Sequence, residues 1–268
     1  MSQLTNNLTE EKETLFIPLY GKAMDYRSKK SVLNDRTAND IIEKIDADLS
    51  KHDRFGGRIA AVRAKQYDEW TKNFISLNNN AIIVHLGCGL DARITRIQPP
   101  VSITWFDVDY PEVISLRKNF YSETNEYKMT ASSITAQNWL ETIPSDRPTF
   151  IVAEGVFEYL SEKEVATLLE RLTDYFPHGQ IAFDVMSSSS ISSRKEKLKE
   201  TTGAMNRWAV DDISEVDQLN SKLKRTETVP LFQSVFVKKL PFGLRFIFGL
   251  LTLFPKYKNA MRLLRYDF

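Results

Sequence analysis

The sequence predicts an α/β fold with a Rossmann-like, doubly wound and mostly parallel sheet. Short apolar runs alternate with helix-like segments; the first run ends in the turn Gly87-Cys88-Gly89, and the second ends in the acids Asp107 and Asp109. Alternation of this kind requires crossover helices on both faces of a parallel sheet. A chain of 268 residues with 42% hydrophobic side chains is long enough to bury the core of such a fold.

The segment before the first strand, residues 1–80, is predicted to be mostly helical. Thr9 is a candidate N-cap for a first helix, because Glu10, Glu11 and Glu13 follow it. Apolar residues at helical spacing predict further helices over residues 37–49, ending at Leu49, and over residues 58–77. Gly56 and Gly57 are expected to separate these two helices.

Four strands are predicted at residues 81–86, 103–108, 150–154 and 180–185, each of them a short apolar run. Helices are expected between them, at residues 111–122, 136–142 and 162–176. The serine-rich and charged segment 187–225 is predicted to be an insertion, which forms either a lid over a ligand or a solvated connector. Residues 226–268 are expected to close the sheet with two strands and a covering helix. Residues 1–80, 81–186, 187–225 and 226–268 would then form one domain.

Composition and charge exclude several functions. Lys plus Arg (36) and Asp plus Glu (35) nearly cancel, so we expect neither nucleic acid nor an anionic membrane as the main partner, and a small molecule is favoured. The single cysteine, Cys88, excludes a disulfide within the chain, and no spacing predicts a metal site. The N-terminal residues lack the pattern of a secretory signal, so we expect a cytoplasmic protein. The apolar run 240–254 is too short to span a bilayer and predicts an amphipathic helix that covers the sheet.

The glycine turn and the acids that follow it predict a nucleoside site. Glycines between a strand and a helix allow close approach of the backbone to a ligand. Asp109 follows Gly87 by 22 positions, near the spacing at which an acid accepts hydrogen bonds from ribose hydroxyls. Asp107 shares one side of the strand with Asp109 and is the alternative for this role.

Two cofactor classes fit the turn. Gly87, Gly89 and Ala92 match the dinucleotide pattern, so a nicotinamide-dependent oxidoreductase is a competing hypothesis, as is a nucleoside-binding protein without turnover. Glu154 ends another predicted strand, where it would face a cationic ligand rather than a pyrophosphate. About eighty residues also precede the first strand. Both observations favour a sulfonium methyl donor.

Several linked segments resemble one methyltransferase family. ETLFIPLYGKAMDYR, IIVHLGCGLDARITRI, WFDVDYPEVISLRK and IVAEGVFEYLSEKEV are similar to the family that joins leucine carboxyl methyltransferases to tetracenomycin-type polyketide O-methyltransferases. The likeness runs from about residue 13 to residue 185, and the polyketide-type branch is the closer one. The resemblance implies a class I methyltransferase fold and S-adenosyl-L-methionine as the cofactor.

The resemblance also implies which residues contact the donor. Arg63 would pair with the donor's methionine carboxylate, Asp109 would hold the ribose, and Glu154 would lie beside the methionine portion. The other implied contacts are the turn with Gly87, Cys88 and Gly89, the adenine contacts Ser132 and Ser133, and a further donor or substrate contact at Lys22.

The reaction expected from these residues is O-methylation of a small, polyketide-like molecule, with methylation of a protein's terminal carboxylate as an alternative. A carboxylate acceptor needs no general base, and the sequence offers none, so catalysis by positioning is expected. Candidates to bind the acceptor are the cations Arg27, Arg207 and Lys22 and the aromatic residues Tyr26, Tyr159 and Trp208.

Overall fold

A seven-stranded sheet forms the centre of the structure, a computed structural model that describes residue 8, residues 10–45 and residues 54–268. The strands are β1 (Ile82–Leu86), β2 (Thr104–Asp109), β3 (Tyr127–Ala131), β4 (Thr149–Ala153), β5 (Gly179–Met186), β6 (Lys224–Pro230) and β7 (Met261–Asp267). Their order is β3-β2-β1-β4-β5-β7-β6. The first five are parallel, and β7 is antiparallel to both β5 and β6. The predicted Rossmann-like, mostly parallel sheet is confirmed.

Ten α-helices surround the sheet in the described part of the chain. They are α1 (Phe16–Tyr26), α2 (Arg36–Lys44), α3 (Arg54–Leu77), α4 (Arg93–Ile97), α5 (Pro111–Arg117), α6 (Glu162–Tyr175), α7 (Ser188–Thr202), α8 (Ile213–Gln218), α9 (Phe242–Leu251) and α10 (Pro255–Lys258). A 3-10 helix, Glu10–Leu15, precedes α1. The predicted helical character of the N-terminal segment is therefore observed in its described part.

The central strands are buried on both faces, as their apolar sequences predict. Every residue of β1 and β4 is buried. Because side chains alternate along a strand, Ile83 and Phe150 belong to one core layer, and Ile82 and Ile151 belong to the other. The helices on each face of the sheet pack against one of these two layers.

Several predicted boundaries are wrong. Strand β3 was not predicted, and the helix expected over residues 136–142 is reduced to a 3-10 turn over Leu140–Thr142. Gly56 and Gly57 do not separate two helices, because both lie within α3, and α5 ends at Arg117 rather than at residue 122. The predicted cap Thr9 and the predicted helix end at Leu49 lie outside the described residues.

The C-terminal third adds two strands and four helices. The predicted insertion contains α7, which is capped by the Ser187 side chain, and α8. Along the chain, helix α9 follows β6 and precedes β7, where the sequence predicts a covering helix, and Phe248 on its inner side is buried. Its outer side, with Phe242 and Phe246, is exposed. No helix in the described ranges is long and apolar enough to cross a membrane.

The topology places a crevice at the carboxyl end of β1. This strand pairs with β2 on one side and with β4 on the other, so the chain leaves it in one direction and returns to the sheet on the opposite side. Ligands of open α/β sheets bind at such a switch point, outside the carboxyl ends of the strands.

Candidate functional site

A cavity of about 630 Å³ opens at the carboxyl ends of β1, β2 and β4. The loops after β1 and β4 contribute Gly87 and Gly155 to its lining, and the last residue of β2 contributes Asp109, while α1, α3 and α7 form other walls. Small-molecule sites typically have volumes of about 300–1,000 Å³, so a ligand of moderate size can be enclosed here.

The glycine turn brings the backbone to the cavity wall. Gly87 has a φ of +59°, and a Cβ atom there would collide with the Val156 side chain. The Gly87 amide donates a hydrogen bond of 2.8 Å to the carbonyl oxygen of Val108, which ties the turn to β2. Glycine is therefore required at position 87 both by conformation and by the available space. Cys88 lines the same cavity, and burial raises the pKa of its thiol well above the usual range.

Of the two candidate ribose ligands, Asp109 is the one that lines the cavity. Its Oδ2 accepts a hydrogen bond of 2.7 Å from the Gly89 amide, and its Oδ1 accepts one of the same length from the Tyr110 amide. The side chain is buried within the protein, and burial raises its pKa to about 6, even though both amides favour the charged form. Each carboxylate oxygen can accept a second hydrogen bond.

Asp107, the alternative ribose ligand, lies outside the cavity lining, which corrects the prediction for this residue. Its side chain is fully buried, forms an ion pair of 2.5 Å with Arg117, and accepts hydrogen bonds from the Tyr127 hydroxyl and the Trp105 ring nitrogen. Burial alone would raise the pKa of Asp107, but the Arg117 charge and the bonds from His85 and Tyr127 lower it to about 2. The residue shares a side of β2 with Asp109 but lies about 7 Å deeper along the strand.

Glu154 is surrounded by cations. Arg63 Nε lies 3.1 Å from its Oε1, Lys22 Nζ lies 3.6 Å from the same oxygen, and the Arg93 guanidinium contacts Oε2. Burial alone would raise the pKa of Glu154, but the three positive charges outweigh this effect and lower the pKa to about 2. The charge of Glu154 is thus compensated by three cations of the protein, although the sequence predicts an acid that faces a cationic ligand.

Arg63 lies between two carboxylates and the cavity. Its Nη1 is 3.2 Å from Oδ2 of Asp184, which adds to the contact with Glu154. The described hydrogen bonds of the Arg63 side chain come from its Nε and Nη1 atoms, and a Cβ atom on Gly155 would lie only 2.9 Å from its Nη2. The absence of a side chain at Gly155, whose φ is +68°, leaves room for the guanidinium at the cavity wall.

Lys22, Ser132 and Ser133 also line the cavity, as does Tyr159. Lys22 Nζ forms an ion pair of 2.7 Å with Asp91, in addition to its contact with Glu154. The Ser132 amide donates to the Asp109 carbonyl oxygen at 2.8 Å, which places the two serines beside the end of β2. The structure therefore gathers most of the predicted donor contacts around one cavity.

Four of the residues that were predicted to bind the methyl acceptor lie outside the lining of this cavity. Tyr26 borders a separate surface depression, and Arg27 interacts with Asn39 and Glu43. Arg207 forms an ion pair of 3.1 Å with Glu164 on the surface, and Trp208 is buried in the core. Tyr26 follows Lys22 by one helical turn, which moves it about 6 Å further along the α1 axis.

Among the charged residues that line the cavity, the sequence prediction missed Glu158 and Arg194, in addition to Glu11, Lys12 and Asp91. Glu158 is 5% exposed, and its Oε2 accepts a hydrogen bond of 2.8 Å from the side-chain Nδ2 of Asn206. Its Oε1 has no such partner among the described residues. Burial raises the pKa of Glu158. Arg194 on α7 is half-buried, and its Nη1 lies 3.1 Å from Met186 Sδ. No carboxylate with a described side chain forms an ion pair with Arg194. Only the position of these residues beside a predicted strand end and in the predicted lid marked them in the sequence.

The side chains that could bind a metal ion are dispersed among the described residues. Within the part of the chain that the structure describes, no group of three or more His, Cys, Asp or Glu side chains could hold a metal ion. His85, which lines the cavity, is fully buried between Arg93 and Asp107. Burial and the Arg93 charge lower the pKa of His85, so its ring is neutral at physiological pH.

Comparisons with known proteins agree with this architecture. The family model for leucine carboxyl methyltransferase matches residues 16–173. The chain is 33% identical to a tetracenomycin polyketide synthesis O-methyltransferase of Streptomyces glaucescens, over 98% of this chain and 99% of that protein. It is 32% identical to an S-adenosyl-L-methionine-dependent methyltransferase of Gibberella zeae, over 82% of each chain.

Solved structures share the fold at low sequence identity. A Thermobifida fusca protein described as a methyltransferase has a TM-score of 0.56 at 14% identity, covering 93% of this chain and 94% of that one. A Synechocystis magnesium protoporphyrin IX methyltransferase, solved with S-adenosylhomocysteine bound, has a TM-score of 0.50 at 10% identity and covers 90% and 99% of the two chains.

Proposed function

Because the chain belongs to the leucine carboxyl methyltransferase family, we propose that it transfers the methyl group of S-adenosylmethionine to a carboxylate or hydroxyl oxygen of a small, polyketide-like molecule. Dependence on S-adenosylmethionine follows from the family. One observation carries the choice of a small acceptor: the cavity that contains the donor residues is also lined by apolar side chains, among them Ile17, Leu160, Leu198 and Phe232.

The residues around the glycine turn fit the donor. Asp109 has acceptor capacity left for two ribose hydroxyls, and Arg63 Nη2 is available for the methionine carboxylate. Gly87 and Gly89 keep side chains away from the place where the nucleoside would pass. Ser132 and Ser133, beside Asp109, would contact the adenine. We also propose Glu154 and Lys22 as neighbours of the methionine portion, because both lie beside Arg63.

The protein's contribution to the reaction is alignment and exclusion of water. S-adenosylmethionine supplies a methyl group on a positively charged sulfur, which an oxygen nucleophile takes by in-line displacement. Tyr159 and the apolar side chains of the cavity would hold the acceptor close to the donor and remove its hydration. Ser190, Ser193 and Arg194 of helix α7 line the same cavity, which supports the lid interpretation of segment 187–225 within one methyltransferase domain.

Arg194 and Glu158 offer a specific role for each kind of acceptor. Arg194 forms no ion pair with a described carboxylate, so its guanidinium can pair with a carboxylate on the acceptor. Its charge also acts on Glu158, where it opposes the rise in pKa that burial causes. For a hydroxyl acceptor, a proton must leave as the oxygen attacks, and Oε1 of Glu158 can accept it. Glu158 is thus a candidate for the general base that the sequence did not reveal.

Calorimetric titration and a transfer assay test this function. The protein should bind S-adenosylmethionine and S-adenosylhomocysteine but not the nicotinamide dinucleotides. Label from methyl-labelled donor should then appear on aromatic acids or phenols of a small-molecule panel, and not on peptides with a free carboxyl terminus. Tight dinucleotide binding without donor binding would refute the methyltransferase function. Transfer to peptides alone would support the protein carboxyl methyltransferase alternative.

A further inference from the structure

Helix α9 exposes apolar side chains on the side that faces away from the protein. Phe242 and Phe246 are 78% and 59% exposed, and they recur with Leu250 at intervals of four residues, so they form one stripe. Leu253 and Phe254 continue this surface beyond the helix end. With Val235, Ile247 and Tyr257, these side chains form the surface that we call the α9 face.

The inner side of the same helix is also apolar. Phe248 is buried against Phe232, and Leu244 and Leu251 pack against the core. A helix that is apolar on both sides is normally covered on both sides. A contiguous exposed apolar surface on a protein marks a site of interaction with another apolar body.

Positive charge is concentrated around the α9 face. Between residues 228 and 261 the sequence contains no Asp or Glu, but it contains Lys238, Lys239, Arg245, Lys256 and Lys258, all of them exposed. The whole chain has a net charge of +1, so the remainder of the protein carries a net charge of −4. A basic segment without acidic residues therefore coincides with the exposed apolar stripe.

A cationic depression adjoins the stripe. Lys29 and Lys30, from the loop after α1, meet Lys238, Lys239 and Arg245 around it, and Phe242 forms part of its edge. None of the residues that line this depression is acidic. A phosphate or carboxylate headgroup would be attracted to the depression while its acyl chains contact Phe242.

We propose that the α9 face and the adjoining cationic depression form a docking surface for an anionic lipid membrane. Aromatic and leucine side chains enter the boundary between headgroups and acyl chains, and the flanking Lys and Arg side chains pair with the headgroups. A symmetric contact between two copies through this face would bring five positive charges of one copy against those of the other, which disfavours a dimer.

The docking surface also adjoins the methyltransferase cavity. Leu251 and Tyr257 line the cavity, and Tyr257 is at the same time 42% exposed on the α9 face. An apolar acceptor dissolved in the membrane could therefore enter the cavity without crossing water. This route, unlike the docking itself, rests on the proposed function.

Co-sedimentation with lipid vesicles tests the docking surface. The full chain should bind phosphatidylcholine vesicles that contain about 30% phosphatidylserine at least about tenfold more strongly than pure phosphatidylcholine vesicles. Added salt should weaken this binding, because it screens exposed charges. Equal binding to both vesicle types, or none to either, would overturn the proposal.

Two double variants test the apolar stripe and the basic residues beside it. Phe242→Glu with Phe246→Glu, and Lys238→Glu with Lys239→Glu, should each reduce binding to the anionic vesicles by about tenfold or more. The matched controls Val101→Glu, and Lys72→Glu with Lys128→Glu, change exposed residues outside this surface and should bind like the unmodified chain. An equal loss in the controls would show that binding is nonspecific.

Two further measurements keep the proposal distinct from its alternatives. Unchanged affinity of the variants for S-adenosylmethionine would show that they are folded, and failure of the unmodified chain to bind this donor would refute the proposed function without affecting the vesicle result. Analytical ultracentrifugation detects self-association. A dimer that the Phe242→Glu and Phe246→Glu changes dissociate would identify the face as an interface between copies and overturn the proposal.

Discussion

The backbone nitrogen of Gly89 lies 2.7 Å from Oδ2 of Asp109, so the turn after β1 is hydrogen-bonded directly to the acid at the end of β2. Both residues line the cavity. The bond fixes the carboxylate beside the glycine turn without using all of its acceptor capacity. This relationship gives the two sequence motifs, which are 20 positions apart, a common function in a nucleoside site.

Replacing Asp109 tests this site. Asp109→Asn removes the charge that strengthens hydrogen bonds from ribose hydroxyls, so the binding of S-adenosylmethionine should weaken by about 1.5–3 kcal/mol. Isothermal titration calorimetry measures the change. Leu77→Asn, an exposed position at the end of α3, is the control. An unchanged dissociation constant for Asp109→Asn would show that this acid does not hold the donor.

Donor binding should also depend on pH between 5 and 7.5. Burial raises the pKa of Asp109 to about 6. The ionised form accepts the ribose hydrogen bonds, so affinity should be greatest above pH 6 and should fall about tenfold by pH 5 as the carboxyl group is protonated. Calorimetric titrations across this range should show the effect in the unmodified chain and lose it in Asp109→Asn. A dependence of equal size in both would assign the titration to another group.

Asp107→Asn should reduce stability instead. The Asp107 carboxylate is fully buried with Arg117, so its loss leaves a buried guanidinium uncompensated, at a cost of about 3–5 kcal/mol in the free energy of unfolding. The folded-state pKa of about 2 lies below the unfolded value, so this stabilisation is present above pH 4 and is lost as the pH falls through 2. Urea unfolding at pH 7 measures the difference. Weaker donor binding by the folded variant, without a loss of stability, would contradict this assignment.

The two aspartates also show what the sequence could predict. The strand ends follow from apolar runs and turn residues, so the glycine turn, Asp109 and Glu154 could be placed at one edge of the sheet in advance. The depth of Asp107 could not, because it depends on Arg117 and Tyr127, which come from α5 and the unpredicted β3. Pairing of distant residues leaves no local pattern in the sequence.

Strand β3 and the helix expected over residues 136–142 were missed for different physical reasons. Strand β3, YKMTA, lies at an edge of the sheet and buries only alternate residues, so it lacks the continuous apolar run of β1. In the second segment, the Trp139 ring nitrogen donates to the Ile134 carbonyl oxygen at 3.0 Å, and this local bond from a side chain to the backbone accompanies a loop in place of a helix. The prediction of residues that bind the methyl acceptor missed Arg194 and Glu158 for a similar reason, because these two residues line the same cavity only in the folded chain.

Gly155→Ala should impair both stability and donor binding. Position 155 has a φ of +68°, which costs a residue with a Cβ atom about 1–2 kcal/mol, and the new methyl group would lie 2.9 Å from Arg63 Nη2. Displacement of the guanidinium should weaken S-adenosylmethionine binding about tenfold or more. The matched control is Gly243→Ala in α9, where nothing lies within 4 Å of the added atom and stability should rise slightly. Donor affinity equal to that of the unmodified chain would show that Arg63 does not depend on this space.

Arg194→Met and Glu158→Gln should affect the acceptor and leave donor affinity unchanged. Removing the Arg194 charge should raise the KM for acceptors that carry a carboxylate by about tenfold or more, since a hydrogen-bonded charge pair contributes about 1.5–3 kcal/mol. Glu158→Gln removes the proton acceptor, so it should lower kcat for hydroxyl acceptors by about a hundredfold but spare carboxylate acceptors, which have no proton to lose. Lys195→Met, a change to the exposed neighbour of Arg194, is the control for charge on α7. The panel of aromatic acids and phenols used in the transfer assay supplies both acceptor types. An equal effect of Glu158→Gln on both acceptor types would assign Glu158 to the structure of the pocket, because a proton acceptor can matter only where a proton is released.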